Sequence, residues 1–221
     1  MVKLSVIIPV LNEAAQIGAC LQSLPADDGI EVIVVDGGSS DATPALASPH
    51  ARVVHSEPGR SLQMNAGAGH ARGEVLLFLH ADTRLPPDAA RLIRQALDQG
   101  ALWGRFDVRL SGSHAAFRLI ERMMNWRSCL TSVATGDQAM FVHREWFEQL
   151  GGFPPIPLME DIALSKCLRR IRRAACIRQP VVTSSRRWQQ RGILRTVLLM
   201  WKLRLYYFLG VSPQRLAAMY R

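Results

Sequence analysis

The chain has 221 residues, 48% of them hydrophobic, and a formal net charge of +9. That composition excludes a disordered chain and suits a single domain with a full core. The basic excess is almost all arginine, with Lys3, Lys166 and Lys202 the only lysines; a planar guanidinium fork suits phosphate recognition, but the arginines are dispersed and form no known nucleic-acid-binding module, so a nucleic-acid partner is not expected.

In chain order, residues 4–10 are wholly apolar and predict a buried strand. Residues 12–24 carry helical spacing at Ile17, Leu21 and Leu24, with Asn12 as the expected N-cap. A second buried strand follows at 31–35, then a short helix at 41–47 opened by Asp41, a third strand at 52–55 and a small-residue helix at 61–71. A fourth apolar strand spans 75–79, and Pro86 opens a helix to 99. Unbroken apolar strands separated by helices predict a parallel sheet covered on both faces.

The second half differs. Phe106, Val108 and Leu110 alternate, which predicts a half-exposed strand over 104–110. A long helix is expected at 114–130, a short strand at 138–142, a helix at 144–150 stopped by Gly151-Gly152, and a helix at 161–171. Pro180 interrupts the strand at 176–182 and predicts an edge position. The fold expected is α/β, a Rossmann-like, mostly parallel sheet with helices on both faces, completed by a mixed C-terminal half within residues 1–190. Residues 191–221 form a helical tail. Its segment 193–211 is apolar but carries Arg195, Lys202 and Arg204, which argues against a membrane-spanning helix. Peripheral contact with a membrane, a homodimer through this helix and simple core packing stay open.

Cys20, Cys129, Cys167 and Cys176 are scattered, with no Cys-x-x-Cys pair. Reduced thiols in a cytoplasmic setting are therefore the expectation, with peripheral attachment to the inner face of a membrane left open through the tail. The opening LSVIIPV is too short for a secretory leader or a bilayer span, so neither is expected.

Parallel sheets bind ligands beyond the carboxyl ends of their strands. There the sequence delivers Glu13 after the first strand, Asp36 and Asp41 after the second, Arg60 after the third, and His80 and Asp82 after the fourth. Each alone reads as a cap or turn residue; Asp41 in particular is a natural helix cap. Together, a carboxylate or an arginine from every strand at one edge is hard to dismiss as capping and points to a ligand-binding site.

The segments VIIPVLNE, VVDGGSSD, FLHAD, GDQAMFV and MEDIALS stand in the order and spacing of family-2 glycosyltransferases with the GT-A fold, and the resemblance runs to Trp188. It is similar above all to the small bacterial members of that family. The resemblance implies a nucleotide-diphosphate-sugar donor, with Pro9, Glu13 and Asp36 lining the base and ribose pocket. HADT matches the family's Asp-x-Asp site with His80 in place of the first carboxylate. Asp82, in the second place, is then the expected ligand of a divalent metal (Mg or Mn) on the donor diphosphate, with His80 as a weaker candidate ligand. By the same resemblance Asp161 is the catalytic base of an inverting transfer to an acceptor hydroxyl, with Glu160 beside it. Asp137 and Gln138 lie toward the donor sugar and acceptor. Arg186, Arg187 and Trp188 resemble a late basic element over the diphosphate, and Arg60 is a further phosphate candidate. The acceptor is not legible.

Two other readings were weighed. A non-catalytic sugar-nucleotide-binding protein would have lost its metal through the His80 replacement. A nucleotidyltransferase would need a Gly-rich N-terminal loop, and PVLNEAAQ is not one.

Overall fold

A computed structural model describes residues 3–220. Ten α-helices and eight strands are assigned among them, and the strands form one mixed sheet in the order β3-β2-β1-β4-β7-β6-β8-β5. The first half is β1 (Leu4–Val10), α1 (Ala14–Gln22), β2 (Ile30–Asp36), α2 (Thr43–Ala47), β3 (Arg52–His55), α3 (Arg60–His70), β4 (Val75–Phe78), β5 (Thr83–Arg84) and α4 (Ala89–Asp98). The second is β6 (Trp103–Leu110), α5 (Ala115–Thr131), β7 (Met140–His143), α6 (Arg144–Gln149), α7 (Glu160–Ile171), β8 (Ala175–Thr183), α8 (Arg186–Arg191), α9 (Ile193–Phe208) and α10 (Pro213–Tyr220).

The strands β3, β2, β1 and β4 are mutually parallel, while β7 runs antiparallel to both β4 and β6. Alternation along the apolar strands builds two cores. Val6, Ile8 and Val10 face Ile17 and Leu21 of α1 and Ile93 of α4. Ile7, Val35, Leu76 and Phe78 face Met64 of α3, Phe147 of α6 and Leu164 of α7. Helices therefore cover both faces, as wholly apolar strands require. A β-carbon on Gly67 would meet Ile7 Cγ2 at 2.5 Å, so glycine there lets α3 lie close on β1.

Four sequence expectations change. Asn12 does not cap α1: it sits at φ 56, and its Oδ1 accepts from Ser40 N at 2.8 Å. Asp41 does the capping from a distance, accepting from Ala14 N at 3.1 Å and from Thr43 N at 2.9 Å. The strand at 104–110 is not half-exposed. Arg105 and Asp107, which mimic a solvent face in sequence, pair with each other, and Arg105 is fully buried. Nor is β8 the outermost strand. It pairs with β6 on one side and with the two-residue β5 on the other, and Pro180 sits where the register to β6 shifts, a place a missing N–H is tolerated. Finally, Cys129 on α5 and Cys176 on β8 are bonded, with Cα atoms 5.8 Å apart, against the expectation of four reduced thiols. Spacing in sequence hides this pair because 47 residues separate them. Cys20 and Cys167 are free.

The tail is two helices, α9 and α10, seated through Leu203 and Leu216 on Val133, Met159 and Ile162. Val133 lies in the segment that leads to Gly136, and Met159 and Ile162 lie at the start of α7 on either side of Glu160 and Asp161. Arg221, the last residue of the expected tail, lies outside the described residues. No helix among the described residues is long and apolar enough to cross a membrane.

Candidate active site

The carboxyl ends of β1, β2 and β4 open onto one edge of the sheet. Gln63 of α3 ties two of them together: its buried amide donates to Val10 O at 2.7 Å and to Val35 O at 2.8 Å. Sequence reading missed this residue, and its one signal was a glutamine among the small residues of a packed helix. Pro9 lies within β1 beside this edge, paired with Val35.

Asp36 ends β2 and is buried. Burial alone would raise its carboxyl, but bonds from Ser39 and Gly38, with His55 Nδ1 at 3.5 Å, hold it below the usual carboxylate range. Gly38 at φ 92 lets the chain fold its N–H back onto this carboxylate. Asp36 is thus an ionised acceptor fixed at the strand end.

Glu13 precedes α1, with its backbone N–H donating to Thr43 Oγ1 at 2.8 Å. Burial first, then the negative charge of Asp82, raises its carboxyl; Arg186 and Arg60 oppose this. Asp82 follows β4 and shows the same pattern. Burial raises its carboxyl, Thr83 Oγ1 and the cations Arg60 and Arg186 lower it, and Asp137 raises it further. Glu13, Asp82 and Asp137 are therefore charge neighbours drawn from both halves of the chain. Asp137 accepts from Thr135 Oγ1 at 2.5 Å.

His80 ends the fourth strand's run with its ring packed on Gly136, where a β-carbon would collide with it. Its Nε2 is buried and has no hydrogen-bond partner. Burial, then the charges of Arg60 and Arg187, holds the imidazole well below its ordinary value of 6.5, so it is neutral. The ring lines a cavity of about 10 Å³ together with Arg60, Gly136, Glu160 and Asp161, which is about the room of one water.

Asp161, in the first turn of α7, accepts from Gly136 N and from Ile162 N, each at 2.7 Å. Burial raises its carboxyl; those two N–H groups and Arg60 oppose the shift. Glu160 is buried beside it and also raised, by burial and then by the charge of Asp161, with Arg60 Nη1 at 3.7 Å from its Oε1. Met159 enters α7 at φ 72, a left-handed conformation rare for a side chain of its size. Such strain collects at sites where surrounding structure fixes the backbone.

The remaining candidates divide. Arg60 starts α3 and its charge reaches Glu13, His80, Asp82, Glu160 and Asp161. Arg186 acts on Glu13 and Asp82, and Arg187 on His80. Arg187 also lies over the Tyr220 ring at 4.4 Å, so the tail helps to fix it. Gln138, by contrast, is fully buried. Its Oε1 accepts from Thr135 N at 3.2 Å, which closes the turn Gly136–Gln138. Trp188 lines a different cavity, of about 390 Å³, with Ser113, His114, Phe117 and Ile193. Among the described residues no group of three His, Cys, Asp or Glu side chains is arranged to hold a metal.

Comparison with known proteins identifies the family. Residues 5–151 match the family described as glycosyl transferase family 2, and the chain belongs to that family. EpsH of Bacillus subtilis is 35% identical over 105 residues, covering 43% of this chain and 30% of that protein. The uncharacterized glycosyltransferase YibD of Escherichia coli is 30% identical over 138 residues, covering 58% of this chain and 38% of that protein. The chain thus spans about a third of the length of these relatives. Among solved structures, Staphylococcus aureus TarS 1-349 superposes with a TM-score of 0.68 at 18% identity, over 83% of this chain and 60% of that one. The mannosyltransferase PcManGT of Pyrobaculum calidifontis, solved with GDP-Man and Mn²⁺, gives 0.62 at 24% identity over 83% and 56%. The fold is the GT-A fold.

Proposed function

We propose that the chain transfers a sugar from a nucleotide-diphosphate-sugar donor to an acceptor hydroxyl, with inversion, and with help from a divalent metal. The observation that carries this reading is the meeting of Glu13 and Asp82 from the first half with Asp137 and Asp161 from the second, under the charge of Arg60, at the sheet edge where Asp36 ends β2. Donors of this class are named for structural neighbours: TarS was solved with UDP-GlcNAc and PcManGT with GDP-Man.

In this reading Asp36 accepts from a base N–H or a ribose hydroxyl, with Pro9 and Glu13 walling the pocket. Arg60, Arg186 and Arg187 face the two phosphates, which suit guanidinium forks. Neutral His80 has room for one water at its unpaired Nε2, and in this reading that water links it to the donor. Asp137 accepts from sugar hydroxyls. Gln138 supports this pocket through the turn it closes, and Trp188 does so from the neighbouring cavity.

The chemistry of the donor set fits a cation. Asp82 is raised by burial and by Asp137, a surplus of negative charge that a divalent ion would relieve. Asp82 would hold it with donor phosphates and waters completing the shell, as Mg²⁺ or Mn²⁺ often accepts. When bound, it would neutralise charge on the departing nucleoside diphosphate.

Asp161 serves as the base. The acceptor oxygen bonds to the anomeric carbon, the bond from that carbon to the diphosphate oxygen breaks, and its electron pair leaves with the diphosphate. The acceptor proton passes to Asp161. A carboxyl raised by burial is a stronger base than an exposed one, and Gly136 and Ile162 N–H groups aim it.

A thermal-shift screen against UDP, GDP, CDP and dTDP, each with EDTA, Mg²⁺ or Mn²⁺, tests the donor side. One diphosphate should raise the melting temperature in a metal-dependent way, because a ligand that binds only the folded state stabilises it. Asp82→Ala should erase the metal dependence and Asp36→Ala the nucleotide response. Silence toward all four would sink the donor assignment.

A further inference from the structure

The tail carries a second, independent pattern. On α9, Leu194, Leu198, Trp201, Leu205 and Phe208 recur at helical spacing and are 71%, 56%, 59%, 55% and 79% exposed. Leu203, on the opposite side of the helix, is fully buried. Arg195 and Lys202 flank the exposed stripe on one side and Arg204 on the other. The charges within this apolar segment thus form basic borders on both sides of an apolar strip.

α5 repeats the arrangement. Leu119, Met123, Trp126 and Leu130 form one exposed strip, with Arg122 along its border, while Arg118 beside it is engaged by Glu121 and the Leu110 and Gly112 carbonyls. The two helices start near each other. Their starts share the cavity lined by His114 and Phe117 from one and Ile193 from the other. Farther along, the charge of Arg204 acts on that of Arg127. At helical spacing each of these residues lies on the flank of its own strip, which fits two exposed strips on one side of the molecule.

We propose that this α5–α9 face docks the protein on an anionic phospholipid bilayer. Charge selects the occupant. The sixty residues after Asp161 contain fourteen Lys and Arg and no Asp or Glu. The single acid of α5, Glu121, is buried. A two-fold dimer would set this face against itself and oppose arginine borders with no exposed acid to pair them. An anionic surface offers partners to Arg122, Arg195, Lys202 and Arg204, while leucine and tryptophan enter the headgroup boundary. Because Leu203 and Leu216 pack on Val133, Met159 and Ile162, docking would hold the start of α7, with Asp161, at the lipid surface. The proposal does not depend on which sugar is transferred.

The test is sedimentation of the full chain with phosphatidylcholine vesicles, with and without phosphatidylglycerol, at low and high salt. The chain should pellet with the phosphatidylglycerol vesicles, less so at high salt, with a blue shift of tryptophan emission from Trp126 and Trp201. Leu198→Asp with Trp201→Asp should weaken partitioning at least about tenfold, at unchanged melting temperature and elution volume, since both side chains are exposed. Arg195→Glu with Lys202→Glu should also weaken it and remove most of the salt effect. Failure to pellet with anionic vesicles overturns the proposal, as does undiminished pelleting of the Asp variants. A concentration-dependent dimer split by those same substitutions, with no vesicle binding, would assign the face to self-association instead.

Discussion

His80 is the residue at which the chain departs from the Asp-x-Asp pattern, and its surroundings give it a measurable signature. In the fold its imidazole is held well below 6.5, by burial and by Arg60 and Arg187, whereas the unfolded chain takes a proton near that value. The folded state therefore refuses a proton that the unfolded state accepts. Its contribution to stability is complete above pH ~6.5 and is lost as pH falls below it. Thermal melts between pH ~7 and ~5 should show the midpoint dropping, and His80→Asn should flatten that slope. An unchanged slope in the variant would mean that His80 takes up its proton equally in the folded and the unfolded chain. At this scale the sequence was a good guide to where groups lie and a poor one to what they touch. Asp36, Asp82 and Asp161 stand at the site edge because strand ends and helix starts are legible from apolar runs. Gln138 was read as facing substrate, and its side chain instead closes its own turn, since a three-residue turn leaves no periodic trace.

Among the elements, the turn Gly136–Gln138 connects the two halves of the site. Its glycine N–H aims Asp161, its Cα faces the His80 ring, and its Asp137 shares charge with Asp82. Gly136→Ala must push the His80 ring or shift the turn. It should cost about 1–3 kcal/mol in denaturant unfolding, as overpacking does, and depress transfer more than nucleotide binding. A variant with wild-type stability and turnover would show that the turn has room to spare. Strand and helix identities up to β4 followed directly from unbroken apolar runs. β6 did not, because the pair Arg105–Asp107 buries polar groups that a period-two reading assigns to solvent. β8 was misread as an edge because pairing by a two-residue strand cannot be seen in sequence.

For the whole molecule, the bond between Cys129 and Cys176 ties α5 to β8 and so braces the second half against the sheet. Closing a loop of 47 residues should stabilise the fold by about 4 kcal/mol in the chain-entropy account. Cys129→Ser under oxidising conditions, or dithiothreitol on the wild type, should lower unfolding stability by a few kcal/mol, with the nucleotide response retained. Equal stability with and without reductant would mean that the two thiols stay reduced in solution. The same scale holds the central claim, that carboxylates from both halves of the chain cooperate in one transfer. It is tested most directly by release of nucleoside diphosphate from the donor that the binding screen selects, measured for wild type and Asp161→Asn side by side. The account predicts turnover by the wild type and a loss of about 10²–10⁴-fold in the variant at unchanged donor affinity. Binding without turnover in the wild type, or equal turnover in both, would contradict it.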